Sequence, residues 1–148
     1  MRDQPEQPSA ARLYLLLLGA ALVVGGIAGF AYEAAFGTGD DYVSDNILGI
    51  FPTNGWDNLF HLVAGVICLA SASRFPLRMA LGIGILFAAL GIWGMLVTER
   101  GAGALLETIP VATEDNLLHL AIGLIGIAAA APLGRDFGGG GGRPPAAA

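Results

Sequence analysis

The stretch Asp57-Asn58-Leu59-Phe60-His61-Leu62 decides how this chain is read, because Asp115-Asn116-Leu117-Leu118-His119-Leu120 restates it 58 residues later. These two copies hold both histidines of the chain, and each is followed at the same distance by a glycine, Gly65 and Gly123. Upstream, Ile47-Leu48-Gly49-Ile50-Phe51-Pro52 aligns at the same offset with Leu105-Leu106-Glu107-Thr108-Ile109-Pro110. Between residues 47–73 and 105–131, eleven of 27 positions are identical. Each copy opens a long apolar run, so each Asp-Asn pair reads as a helix start. There an acid meets unpaired backbone N–H groups and the positive end of the helix dipole. Asn54 and Thr113 are the candidate caps, with Asp57 and Asp115 just inside.

What surrounds the motif is a membrane composition. The 148 residues are 55% hydrophobic and 13% charged, and the mean hydropathy is +0.68. That is far from an ordinary soluble domain. All seven basic residues are arginine, a bias that goes with 23 glycines and many alanines in high-GC bacterial genes. A net charge of −5 and no basic stripe exclude a nucleic-acid partner. Cys68, the one cysteine, lies in an apolar run and reads as a small buried hydrophobe.

Four apolar runs follow in order: Leu13–Ala35, Asn58–Ser73, Leu77–Thr98 and Asn116–Leu133. The first is too long for a signal-peptide core of about 7–15 residues. The second reaches spanning length only if its helix begins around Asn54–Trp56, which puts Asp57 and Asn58 at the water–lipid boundary. An aspartate at the bilayer centre costs about 2.5–3.5 kcal/mol on insertion scales, so the boundary is also where energy places it. Arg2, Arg12, Arg74, Arg78, Arg135 and Arg143 fall on one side of these runs, and only Arg100 on the other. Asp40, Asp41, Asp45, Glu99, Glu107 and Glu114 crowd that other side. The positive-inside rule then predicts a multi-pass protein of the bacterial inner membrane, with both termini cytoplasmic and both Asp-Asn starts facing outward.

The expected fold is all-α, with four transmembrane helices forming a tandem two-helix repeat about a pseudo-two-fold axis along the membrane normal. Residues 1–12 form a disordered tail, 13–133 one membrane domain (13–74 and 75–133 the two repeats), and 134–148 a disordered Gly/Pro/Ala tail. Small-residue ladders, Ala21-Gly25-Gly29 and Ala80-Gly84-Ala88, are expected to carry close helix packing. They also offer faces for a homo-oligomer or another membrane protein, the bilayer being the remaining partner.

The candidate polar cluster is Asp57, Asn58, His61, Asp115, Asn116 and His119, with Glu33 near the same leaflet. Asp and His four apart share a helix face and can hydrogen-bond. One reading is structural: the acid completes the helix start, the imidazole bonds to it, and the asparagines bridge to the proline-bearing loop or the other repeat. A second lets two Asp-x-x-x-His faces converge on a divalent metal or a haem. A third makes them a proton or small-solute path. None has a specific signature, so no catalytic, cofactor or metal residue is assigned. Triads and phosphate loops are missing, and Asp40–Asp45 lacks the spacing and glycine of a calcium loop.

The segment Leu48-Gly-Ile-Phe-Pro-Thr-Asn54 with Asn58-Leu-Phe-His61-Leu-Val-Ala-Gly65, and the later Asp115-Asn-Leu-Leu-His119-Leu-Ala-Ile-Gly123, resembles the bacterial family called domain of unknown function 4383. The resemblance covers roughly residues 13–133 and implies a small four-span membrane protein with paired Asn-x-x-His-Leu segments. That family's first copy often reads His-Asn where this chain has Asp57-Asn58, so a ligand set built on that histidine is incomplete here. The family implies no activity. The leading expectation is a non-enzymatic scaffold or accessory membrane subunit. The alternative is a metal- or haem-binding redox component, or a small-solute or proton transport component, built on the paired helix starts.

Overall fold

A computed structural model describes residues 9–99 and 102–132. In chain order it holds α1 (Ala10–Gly29), a 3-10 turn (Gly39–Asp41), β1 (Asp45–Ile47), β2 (Phe51–Thr53), α2 (Gly55–Ser71), α3 (Pro76–Val97), β3 (Ala102–Leu105), β4 (Ile109–Ala112) and α4 (Thr113–Ala129). Helix α1 starts at Ala10, inside the segment expected to be disordered, because the Ser9 hydroxyl accepts the Arg12 N–H at 3.2 Å and caps it. Residues 1–8 and the low-complexity tail 134–148 lie outside the described residues.

The expectation of an all-α chain holds in part: the chain is mostly helical, with four helices, but the segments within each pair are not all coil. Each segment between paired helices folds into an antiparallel strand pair, β1 with β2 and β3 with β4, and Pro52 pairs with Asn46 as Pro110 pairs with Ala104. Both turns carry two successive residues at positive φ, Leu48 (56°) and Gly49 (73°) in one, Leu106 (54°) and Glu107 (55°) in the other. The Ile50 N–H donates to the Ile47 carbonyl at 3.2 Å and the Thr108 N–H to the Leu105 carbonyl at 3.0 Å. These are the features of type I′ hairpin turns, whose usual sequence signal is Asn-Gly or Asp-Gly. Leu-Gly and Leu-Glu do not advertise them.

Helices α1 and α2 form one antiparallel hairpin, and α3 and α4 form another. Glycines let the backbones touch in both. A Cβ on Gly19 would meet the Gly65 carbonyl at 2.9 Å, and one on Gly84 the Gly123 carbonyl at 2.8 Å. One on Gly26 would meet the Asn58 carbonyl at 2.7 Å, and one on Gly91 the Asn116 carbonyl at 2.7 Å. On Gly29 and Gly94 a Cβ would land on the side-chain amide oxygens of Asn58 and Asn116. On α1 the packed face is therefore Gly19-Gly26-Gly29, which corrects the expected ladder: Ala21 is exposed and Gly25 faces open space. On α3 the expected ladder holds, with Ala80 buried, Gly84 against α4 and Ala88 against Gly123.

Between the hairpins lies a core of Ala11, Leu15, Leu18, Leu22, Ala64, Cys68, Ile83 and Phe87. The Tyr14 hydroxyl ties α1 to α4 by donating to the Ile122 carbonyl at 3.2 Å. Outside the helices, the Asn54 side chain donates to the Thr108 carbonyl at 2.7 Å and the Gly39 N–H to the Glu107 carbonyl at 3.1 Å, which joins the two loop regions.

Helices α1 and α3, of 20 and 22 residues, are long and apolar enough to cross a membrane. At 1.5 Å per residue they span about 30–33 Å, the thickness of a hydrocarbon core. Helices α2 and α4 have 17 residues each and are shorter, about 25 Å. Helix α2 begins at Gly55, within the window its apolar run requires.

Candidate functional site

The two helix starts are built alike and satisfied differently. At α2, Asn54 is the cap: its side-chain oxygen accepts the Asp57 N–H at 3.0 Å. Thr53, fully buried at the end of β2, has its hydroxyl 2.6 Å from Asn58 Oδ1 and 3.2 Å from Asp57 Oδ2. A hydroxyl carries one proton, and the shorter contact places it on the asparagine. Asn58 Nδ2 then donates to the Glu33 carbonyl at 2.9 Å. Glu33 thus joins the cluster through its backbone, while its carboxylate turns back to accept the Ala35 N–H at 2.8 Å. His61 Nδ1 stands 3.4 Å from Asp57 Oδ2, a loose pairing on one helix face.

At α4, Thr113 is the first helical residue, and Ala112 occupies the cap position without a side-chain bond, so the expected threonine cap is not formed. Asn54 has no polar counterpart there, since Ala112 stands at its offset. Asn116 Nδ2 donates to Thr98 Oγ1 at 2.8 Å, and that hydroxyl donates on to the Gly94 carbonyl at 2.7 Å. Asn116 Oδ1 is buried with no partner. The cause is one substitution between the copies, Val111 standing where Thr53 supplies a hydroxyl. Only Asn58 therefore bridges to the proline-bearing strand; Asn116 binds the end of α3.

The second Asp–His pair is also not formed. His119 is 8% exposed and its Nδ1 has no partner. Among the described residues no side chain donates to the Asp115 carboxylate, although Asp115 is 7% exposed. The structural reading of the motif accounts for Asn58 and for the amide nitrogen of Asn116, and among the described residues it leaves Asn116 Oδ1, His119 Nδ1 and the Asp115 carboxylate without a partner.

These four ionisable side chains meet. Asp57, His61, Asp115 and His119 all line one cavity of about 270 Å³. Its remaining walls are apolar: Leu18, Leu22 and Gly25 from α1, Ile47, Phe51 and Pro52 from the first strand pair, Phe87 from α3, Leu118 and Ile122 from α4. Exposed Ala21 and Leu118 flank it, so it opens on the side of the molecule between α1 and α4. The ring centroids of His61 and His119 are 6.2 Å apart, edge to face, and Phe87 lies edge-on to His119 at 5.3 Å. Among the described residues no group of three or more His, Cys, Asp or Glu side chains is placed to hold a metal ion.

Thr53, Thr98 and Phe87 escaped the sequence reading. For Thr98 and Phe87 the signal lay in a second offset, 65 residues, which relates Gly19, Gly26 and Gly29 to Gly84, Gly91 and Gly94, and also Leu22 to Phe87 and Glu33 to Thr98. It differs from the 58-residue offset of the helix starts because the stretch from Gly94 to Asp115 is seven residues shorter than that from Gly29 to Asp57.

A family model described as "Domain of unknown function (DUF4383)" matches residues 12–131. No curated protein matches the chain. No solved structure matches it either.

Proposed function

The chain belongs to the DUF4383 family, and from that premise we propose that it is a four-span inner-membrane protein of bacterial type whose lateral cavity binds a small solute. The reading gives α2 and α4 the role of two further spans. Their starts sit at the outer boundary beside the strand pairs, where exposed Trp56 and Trp93 supply the aromatic belt that interfaces favour. Arg12, Arg74 and Arg78 lie at the opposite end, which this reading makes cytoplasmic. Two hairpins in one orientation, with matching glycine contacts, amount to a tandem repeat about an axis along the membrane normal.

One observation carries the binding role: both Asp-x-x-x-His faces line a single apolar-walled cavity, and in the second copy no side chain among the described residues donates to the acid. Polar groups set in an apolar concavity are the usual form of a small-molecule site. The rival reading, a non-enzymatic scaffold or accessory subunit, draws on Asn58 and Asn116, whose hydrogen bonds lock helix ends together.

A thermal-shift screen of amphiphilic solutes on the full chain in detergent separates the two. Under the binding reading, some solutes raise the unfolding midpoint in a concentration-dependent way. Gly25→Phe, which projects a ring from open space into the cavity, removes those shifts. A wild-type chain stabilised by no solute, or shifts that persist in Gly25→Phe, would leave the scaffold reading. A Soret band or stoichiometric metal lost on His61→Ala and His119→Ala would replace both readings with a cofactor site. For the topology, Asp41→Cys in a Cys68→Ala background should react with an impermeant maleimide added outside cells. Reaction only after permeabilisation would overturn the orientation.

A further inference from the structure

Resting on the cavity as a binding site, the geometry points to its ligand class: we propose that it takes a small organic ammonium ion with an apolar body. The ammonium N–H groups would be held by the Asp115 carboxylate.

The first argument is charge. Two carboxylates, Asp57 and Asp115, line the cavity, and neither arginine nor lysine does. Asp57 has company within the protein, with His61 Nδ1 at 3.4 Å. Asp115 has none among the described residues. A buried carboxylate facing a concavity without a donor favours a cationic guest, because charge-assisted hydrogen bonds are the strong ones in an apolar setting.

The second argument is hydrogen-bond polarity. An ionised carboxylate such as Asp115 only accepts hydrogen bonds, through two oxygens. Asp115 and His119 stand four apart on α4 and share a face. The two carboxylate oxygens favour a guest that donates more than once from one end. An ammonium does this; an alcohol donates once, and a carboxylate not at all.

The third is the walls. Phe51, Leu22 and Ile122 offer apolar surface to the body of such a guest. The opening between α1 and α4 admits a guest already partitioned into the outer half of the bilayer.

Equilibrium dialysis of radiolabelled 2-phenylethylamine against the full chain in lipid nanodiscs tests this, with 2-phenylethanol as the uncharged analogue. Saturable binding near one per chain is expected for the amine, and about ten-fold weaker binding or less for the alcohol. Asp115→Asn should weaken the amine by about ten- to a hundred-fold and leave the alcohol unchanged, a split that a merely misfolded variant does not show. Gly25→Phe leaves the acid untouched and should abolish both, which keeps the test decisive if Asp115→Asn fails to fold. If alcohol and amine bind equally, or Asp115→Asn binds the amine as wild type does, the ammonium assignment is overturned while the cavity stands as a site. If neither ligand binds a folded wild-type chain, the ammonium assignment is overturned; the solute screen then decides the cavity separately.

Discussion

Gly29 leaves the space that the side-chain amide of Asn58 fills: a Cβ at position 29 would fall on the amide oxygen, and Gly94 does the same for Asn116. A glycine on one helix thereby permits a buried amide on its neighbour to reach the loop beyond. The buried asparagine and the helix crossing are one feature.

Gly29→Ala should therefore destabilise the chain by about 1–3 kcal/mol, the usual cost of overpacking a tight contact. Gly82→Ala is its control, since nothing lies within 4 Å of that position; it should change stability by no more than about 0.5–1 kcal/mol, in the stabilising direction set by helix propensity. Unfolding midpoints in detergent measure both. Equal losses at the two positions would contradict the packing account.

The hydroxyl difference between the copies predicts a reciprocal pair. Thr53→Val strips Asn58 Oδ1 of its donor and should cost about 1–3 kcal/mol. Val111→Thr gives the unpartnered Asn116 Oδ1 a donor at the matching place and should gain about 0.5–1.5 kcal/mol. Denaturant titration of the two variants reads the opposite signs.

Glu107 adopts positive φ where its counterpart in the first turn is Gly49. Glu107→Gly should relieve about 1 kcal/mol of backbone strain. The Gly39 N–H bond to the backbone carbonyl at 107 survives the change. Amide exchange of the Thr108 N–H, which closes the turn, should slow.

Tyr14→Phe removes the hydroxyl that joins α1 to the Ile122 carbonyl across the hairpins. The expected cost is about 0.5–1.5 kcal/mol, read as a lower unfolding midpoint with helix content unchanged by circular dichroism.

The sequence alone was enough for the helices, the start of α2 and its Asn54 cap, the burial of Cys68 and the family. Apolar periodicity, charge placement and a duplicated motif are local properties that survive without coordinates. It was enough also to single out Asp57, His61, Asp115 and His119, because a motif written twice in an apolar chain needs an explanation. It did not reach the strand pairs, whose turns use leucine and glutamate at positive φ and carry no Asn-Gly signal. Nor did it reach the packed face of α1, since Ala21-Gly25 and Gly19-Gly26 are equally small and only the neighbouring helix distinguishes them. Above all, two identical Asp-Asn-x-x-His spacings gave no hint that Asn58 Oδ1 receives a hydroxyl donor while Asn116 Oδ1 and His119 Nδ1 have no partner among the described residues. That difference lies in what each side chain meets across the fold: Thr53 against Val111, Asn54 against Ala112, and a cavity that exists only once the two hairpins are packed together.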